Sequence, residues 1–126
     1  MKPDIADRRD IKFIISKFYD KLLADEEMLP FFLEFVKNNK LEKHLEIITD
    51  FWSDILLHTQ SYSNNVMQKH VDKNVYTRFE KEHFDIWTSY FTETIQENFQ
   101  GEKAKRMKSR ALSIAIMMQV KMNLYN

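Results

Sequence analysis

Ile11-Lys12-Phe13-Ile14-Ile15-Ser16-Lys17-Phe18-Tyr19-Asp20-Lys21-Leu22 returns an apolar side chain at steps of three and four: Ile11, Ile14, Ile15, Phe18, Tyr19, Leu22. Those steps fall on one side of a helix, so the stretch reads as a helix with a single buried stripe, spanning residues 7–24. Asp7 and Asp10 suit its start, because carboxylates there meet first-turn N–H groups that have no helical partner. Glycine occurs once and proline twice in 126 residues. That scarcity removes the turn residues a sandwich or barrel needs, and it rules out a glycine loop around phosphate. Long helices remain.

Working outward, residues 28–36 form a short helical segment with Pro30 in its first turn and Phe31, Phe32 and Phe35 close together. After a polar connector, residues 41–59 place Leu41, Leu45, Ile48, Trp52, Ile55 and Leu56 along one face. His44, Ile48, Phe51 and Ile55 share an adjoining strip, which puts His44 at the edge of the apolar face. Residues 60–65 are a loop by composition, and residues 66–71 are a short amphipathic stretch carrying His70. Thr77-Arg78-Phe79-Glu80 has capping-box spacing and opens a helix that aligns Phe84, Trp87, Phe91, Ile95 and Phe99, with Gly101 as its stop. A last helix over 102–125 aligns Met107, Ala111, Ile114, Met118 and Met122. The expectation is four long helices and two short ones in one domain, residues 1–126.

Apolar residues at 44 % suffice for a real core. Nineteen basic and nineteen acidic residues cancel, so no overall field draws the chain to nucleic acid or anionic lipid. Lys103, Lys105, Arg106, Lys108 and Arg110 cluster, but in a neutral chain they read as a solvated helix face. The longest apolar run, residues 114–118, is far shorter than the ~20 residues a membrane helix needs. With no apolar leader, the expected location is the cytoplasm and neither membrane nor nucleic acid is an expected partner. There is no cysteine, which excludes disulfides, thiolate metal sites and a cysteine nucleophile. No catalytic residue stands out: a serine elbow is absent, and Glu26 with Glu27 sits in a polar connector. The histidines His44, His58, His70 and His83 are too far apart for a helical zinc pair. What remains is an apolar helical domain with His44 and His70 framed by phenylalanines, Tyr19 and Trp87. A large flat cofactor that needs one imidazole and an apolar wall fits that composition.

Several ordered pieces carry a more specific likeness. They are Phe18-Tyr19-Asp20-Lys21-Leu22, Pro30-Phe31-Phe32, Lys43-His44-Leu45 with Asp50-Phe51-Trp52, Lys69-His70-Val71-Asp72, and His83-Phe84-Asp85-Ile86-Trp87. Together they resemble the truncated haemoglobins, most closely the third group, over residues 11–122. The lack of Gly-Gly pairs departs from the first two groups and agrees with the third. The resemblance implies an all-α, shortened globin-like helical sandwich with the first globin helix reduced or absent. It implies one haem b, with His70 as the proximal iron ligand and His83 as the competing candidate. Tyr19 and Trp87 would be distal donors, with His44 at the distal entrance. Phe32, Ile48, Phe51, Trp52 and Met118 would line the haem pocket. The implied activity is reversible binding of dioxygen, and of other diatomic ligands such as NO or CO, at a pentacoordinate iron, with an unidentified reductase as partner. Whether such a chain turns over as an enzyme stays open. A haem peroxidase or NO dioxygenase using the same pocket, or a haem-free helical binding module, are the alternatives.

Overall fold

The computed structural model describes residues 1–59 and 79–121, and every regular element among them is a helix. Helix α1 spans Arg8–Ala24, α2 Leu29–Lys37, α3 Leu41–Leu57, α4 Lys81–Asn98 and α5 Glu102–Lys121. The stripe read from sequence is the buried face of α1, and Asp7 caps it by accepting the Arg9 and Asp10 N–H groups. Residues 1–7 contain no helix, as expected for a reduced first globin helix. The short helix expected over 66–71, and the end of the last helix beyond Lys121, lie outside the described residues.

Helix α1 packs on α2, α3 and α4, α4 packs on α5, and α3 closes the square against α5. The α1–α3 pair thus lies on the α4–α5 pair around one continuous apolar core. On the rim, Arg8 reaches Glu46 and Asp50, and Lys12 reaches Glu42 and Glu46, between α1 and α3; Lys21 bridges α1 to Glu93 and Glu97 of α4. Exposed pairs of this kind add ~0–1 kcal/mol each, so they favour one register while the core supplies the stability.

Two helix ends depart from the expectation. Helix α4 opens at Lys81 with Glu80 as its N-cap residue, and His83 Nδ1 accepts the Glu80 N–H at 2.8 Å; Thr77 lies outside the described residues. The capping partner is therefore an imidazole, which the hydroxyl–carboxylate pattern hides. Gly101 is not a left-handed stop, since α4 ends at Asn98 with Phe99 as an extended cap. Its φ is +148°, and a Cβ there would lie 2.5 Å from Asp4 Cγ. Asp4 needs that space because its carboxylate accepts the Lys103 and Ala104 N–H groups at 3.0 and 2.9 Å, capping α5 from the N-terminal segment. Burial raises the Asp4 carboxyl, but those amides, the Ile5 amide and the Lys103 charge outweigh it and hold the group below its usual range.

Gly101→Ala is accordingly expected to lose about 1–3 kcal/mol in urea denaturation, through backbone strain and displacement of Asp4. Asp4→Ala, which removes only the cap, is expected to lose about 1 kcal/mol. A Gly101→Ala protein as stable as the parent would show that the N-terminal segment is not docked in this way.

Candidate functional site: a buried Tyr–His pair in an aromatic wall

The approach to the site begins at the end of α2. Asn39 adopts φ +55°, the Lys40 N–H donates to Phe35 C=O at 2.8 Å, and the Asn39 N–H donates to Val36 C=O at 3.3 Å. These are the two bonds of a Schellman ending with asparagine in the left-handed position. The tight turn starts α3 at Leu41 and delivers His44 one turn in, 5 % exposed. Tyr19, on the buried stripe of α1 and 1 % exposed, meets it: Oη and Nε2 are 2.8 Å apart. The Phe35 ring stacks on the imidazole at 4.2 Å and 18°, while the Tyr19 ring stands edge-on at 5.4 Å.

From this pair an aromatic wall continues through the core. Phe32 lies 5.3 Å from Tyr19, and Phe18 lies 5.5 Å from both Tyr19 and Trp87. Trp87 stacks on Phe91 at 5.5 Å and 3°, Phe91 on Trp52 at 5.3 Å, and Trp52 meets Phe51 at 5.5 Å. Ile48 is buried one turn beyond His44. Tyr19, Phe32, Ile48, Trp52 and Trp87 are thus part of one core, His44 is buried beside it through its contact with Tyr19, and Phe51 and, from α5, Met118 pack against it partly buried. His70 lies outside the described residues. His58 is exposed at the left-handed cap of α3, away from the buried pair.

Phe35, Phe18 and Phe91 are the participants that single-helix periodicity underweights. Phe91 follows Trp87 by one turn, so its place on the stripe was visible, but its role as the bridge to Trp52 was not. Phe35 reaches His44 only because the Schellman turn folds α2 onto α3.

Burial pushes the His44 imidazole down to about 4, so it is neutral near pH 7. A neutral ring gives the pair two proton arrangements. Either Tyr19 donates to Nε2, or Nε2–H donates to Tyr19 Oη and the hydroxyl hydrogen points away from His44. The linkage has a definite sign. The unfolded chain binds a proton at His44 below its ordinary value near 6.5 while the folded chain resists until about 4. This contribution to stability is present above pH 6.5 and is lost as the pH falls from there toward 4. Urea titrations across that window are expected to show the loss, and His44→Leu is expected to remove that share of it. An unchanged pH slope in His44→Leu would mean the ring is not buried neutral.

Among the described residues, no three histidine, aspartate or glutamate side chains converge as a metal cage. Nor is any helix among them long and apolar enough to cross a membrane. A buried neutral pair of hydrogen-bonding groups within an apolar, aromatic core is chemistry compatible with a small uncharged ligand.

Comparison with known proteins supplies the class of fold. No family model matches the chain. The Group 3 truncated hemoglobin ctb of Campylobacter jejuni is 26 % identical over 117 residues, covering 91 % of this chain and 90 % of that protein. The crystal structure of group III truncated hemoglobin from Campylobacter jejuni aligns with a TM-score of 0.81 at 26 % identity, over 100 % of this chain and 97 % of that one. The resemblance to the truncated haemoglobins, and among them to the third group, therefore holds in sequence and in three dimensions, and the fold is the shortened all-α globin fold.

Proposed function

We propose that this chain is a haem-binding globin that reversibly binds dioxygen, and other diatomic ligands such as NO or CO, at a pentacoordinate haem b iron. The observation that carries the reading is the buried Tyr19–His44 pair within an aromatic wall, in a fold shared with a truncated haemoglobin. The residues fit the group: the wall is flat-ringed and apolar, and its buried polar atoms are neutral donors and acceptors rather than charges that would oppose an apolar macrocycle. When bound, haem supplies an iron with one open position for a diatomic ligand.

The roles of the chain's own residues are those the resemblance implies. His70 would hold the iron on the proximal side, and Phe32, Ile48, Phe51, Trp52 and Met118 would bury the macrocycle. Tyr19 offers an O–H whose direction depends on the His44 tautomer, so the pair presents or withholds one donor without creating a charge. The Trp87 ring N–H only donates, which suits a ligand that gathers negative charge and does nothing for one that does not. His44, at the edge of α3, controls entry to this corner. The surrounding phenylalanines exclude water, which strengthens each of these hydrogen bonds.

The absorption spectrum of the freshly purified protein tests the reading. A Soret band, one haem taken up per chain on titration with hemin, and a ferrous form that cycles between oxygenated and deoxygenated spectra are the expected results. A colourless protein that takes up no haem would overturn it in favour of a haem-free binding module.

A further inference from the structure

None of the roles above uses the Phe35 ring, although among the described residues it makes the closest ring contact of His44, at 4.2 Å against 5.4 Å for Tyr19. The position is built rather than incidental. Phe35 supplies the carbonyl that closes the α2 ending, so the residue stacking on His44 also anchors the turn that starts α3. Next, the backbone of His44 is tied to the same turn, its N–H donating to Lys40 C=O at 3.0 Å. The imidazole is therefore gripped by two side-chain contacts of different kinds: a half-buried phenyl flat against one face, and the Tyr19 hydroxyl at Nε2. A hydrogen bond at one nitrogen leaves the ring free to turn about that axis, whereas a parallel stack fixes its plane. Both together define one orientation.

We propose that Phe35 is a positioning residue: it holds His44 in the inward orientation that meets Tyr19, and thereby decides whether the Tyr19 hydroxyl is held by His44 or offered to a ligand. The ligand part rests on the function proposed above; the positioning part does not. Losing the phenyl lets His44 leave Tyr19, so the distal corner opens and the hydroxyl is no longer held by His44.

The test uses Phe35→Leu, Phe35→Ala and Phe35→Tyr in the protein as purified, with the His44 ring nitrogens followed by ¹⁵N NMR. The parent and Phe35→Tyr, which keeps a stacking ring, are expected to show one defined tautomer and cross-peaks between the His44 and Tyr19 rings. Phe35→Leu and Phe35→Ala are expected to average the two nitrogens and lose those cross-peaks; Leu keeps most of the apolar volume should Ala fail to fold. In the haem-loaded protein, carbon monoxide rebinding after photolysis is expected to change about 2- to 10-fold in Phe35→Leu, the factor an aromatic pair supplies. It is expected to change no further when Phe35→Leu is added to His44→Leu, because both act through one ring. An unaltered His44 signature in the Leu variant, or Phe35 and His44 effects that simply multiply, overturns the proposal. Failure of the parent to take up haem would overturn the function alone, and the NMR comparison would still decide the role of Phe35.

Discussion

His70→Gly is expected to abolish stable haem retention, while His83→Ala keeps the haem. Of the two proximal candidates, His83 lies among the described residues, and its bonding is the reason to expect it to be the wrong one. Its Nδ1 lone pair accepts the Glu80 N–H at 2.8 Å, so in the neutral ring the proton sits on Nε2. A metal-ligating imidazole has the opposite arrangement: a free lone pair toward the metal, and its other N–H donated to an acceptor. His83 could serve an iron only by giving up the start of α4. Its ring is also packed 4.7 Å from Phe31 and 5.8 Å from Phe79. His83→Ala is therefore expected to lose about 0.5–2 kcal/mol of stability, the range for removing a helix cap, with the Soret band preserved. His70→Gly is expected to come through gel filtration nearly colourless, and added imidazole is expected to restore the band by filling the vacated space. The reverse pattern, with His83→Ala bleached and His70→Gly coloured, would exchange the two assignments.

How far these features were legible follows from whether a signal lies within one helix or between two. The stripe of α1 and the faces of α3 and α4 repeat at three and four residues, and the buried faces follow them, except that in α3 Leu41 and Ile55 are only partly buried while Thr49 and Ser53 are buried. From sequence, His44 stood at the edge of an apolar face, while Tyr19 read as one more member of the α1 stripe and became a donor only through the resemblance. Their bond to each other was not legible, since the partners are 25 residues apart on separate helices. The same limit hid Phe35, whose stack depends on a turn set by Asn39 at positive φ, a residue that reads as ordinary connector. Gly101 was read as a helix stop from its type alone. Its actual constraint is Asp4, a contact across almost the whole chain that no local pattern carries. The sequence likeness supplied what periodicity could not: a reason to consider Tyr19, His44 and Trp87 together although they lie on three separate helices.

Tyr19→Phe is expected to speed dioxygen release from the haem-loaded protein by roughly 10- to 100-fold. A hydrogen bond to a charged or strongly polarised acceptor contributes ~1.5–3 kcal/mol, and ~1.4 kcal/mol is a factor of ten. The substitution keeps the ring that packs against Phe18 and Phe32, so it tests the hydroxyl and little else. It has a second effect that the ligand does not share. His44 Nε2, buried, loses the partner 2.8 Å away, which is expected to lower stability by about 1–3 kcal/mol even without haem. Adding His44→Leu removes the stranded nitrogen and is expected to recover much of that stability without slowing dioxygen release. Stability and ligand retention therefore separate in the double variant, and that separation distinguishes a donor from a merely well-packed side chain. Trp87→Phe is a blunter probe, because it removes volume beside Phe91 along with the N–H. Carbon monoxide supplies the control, since it gathers far less negative charge and is expected to respond much less than dioxygen to Tyr19→Phe. Equal acceleration of both gases would mean the hydroxyl acts by occupying space, and the donor role of Tyr19 would have to be abandoned.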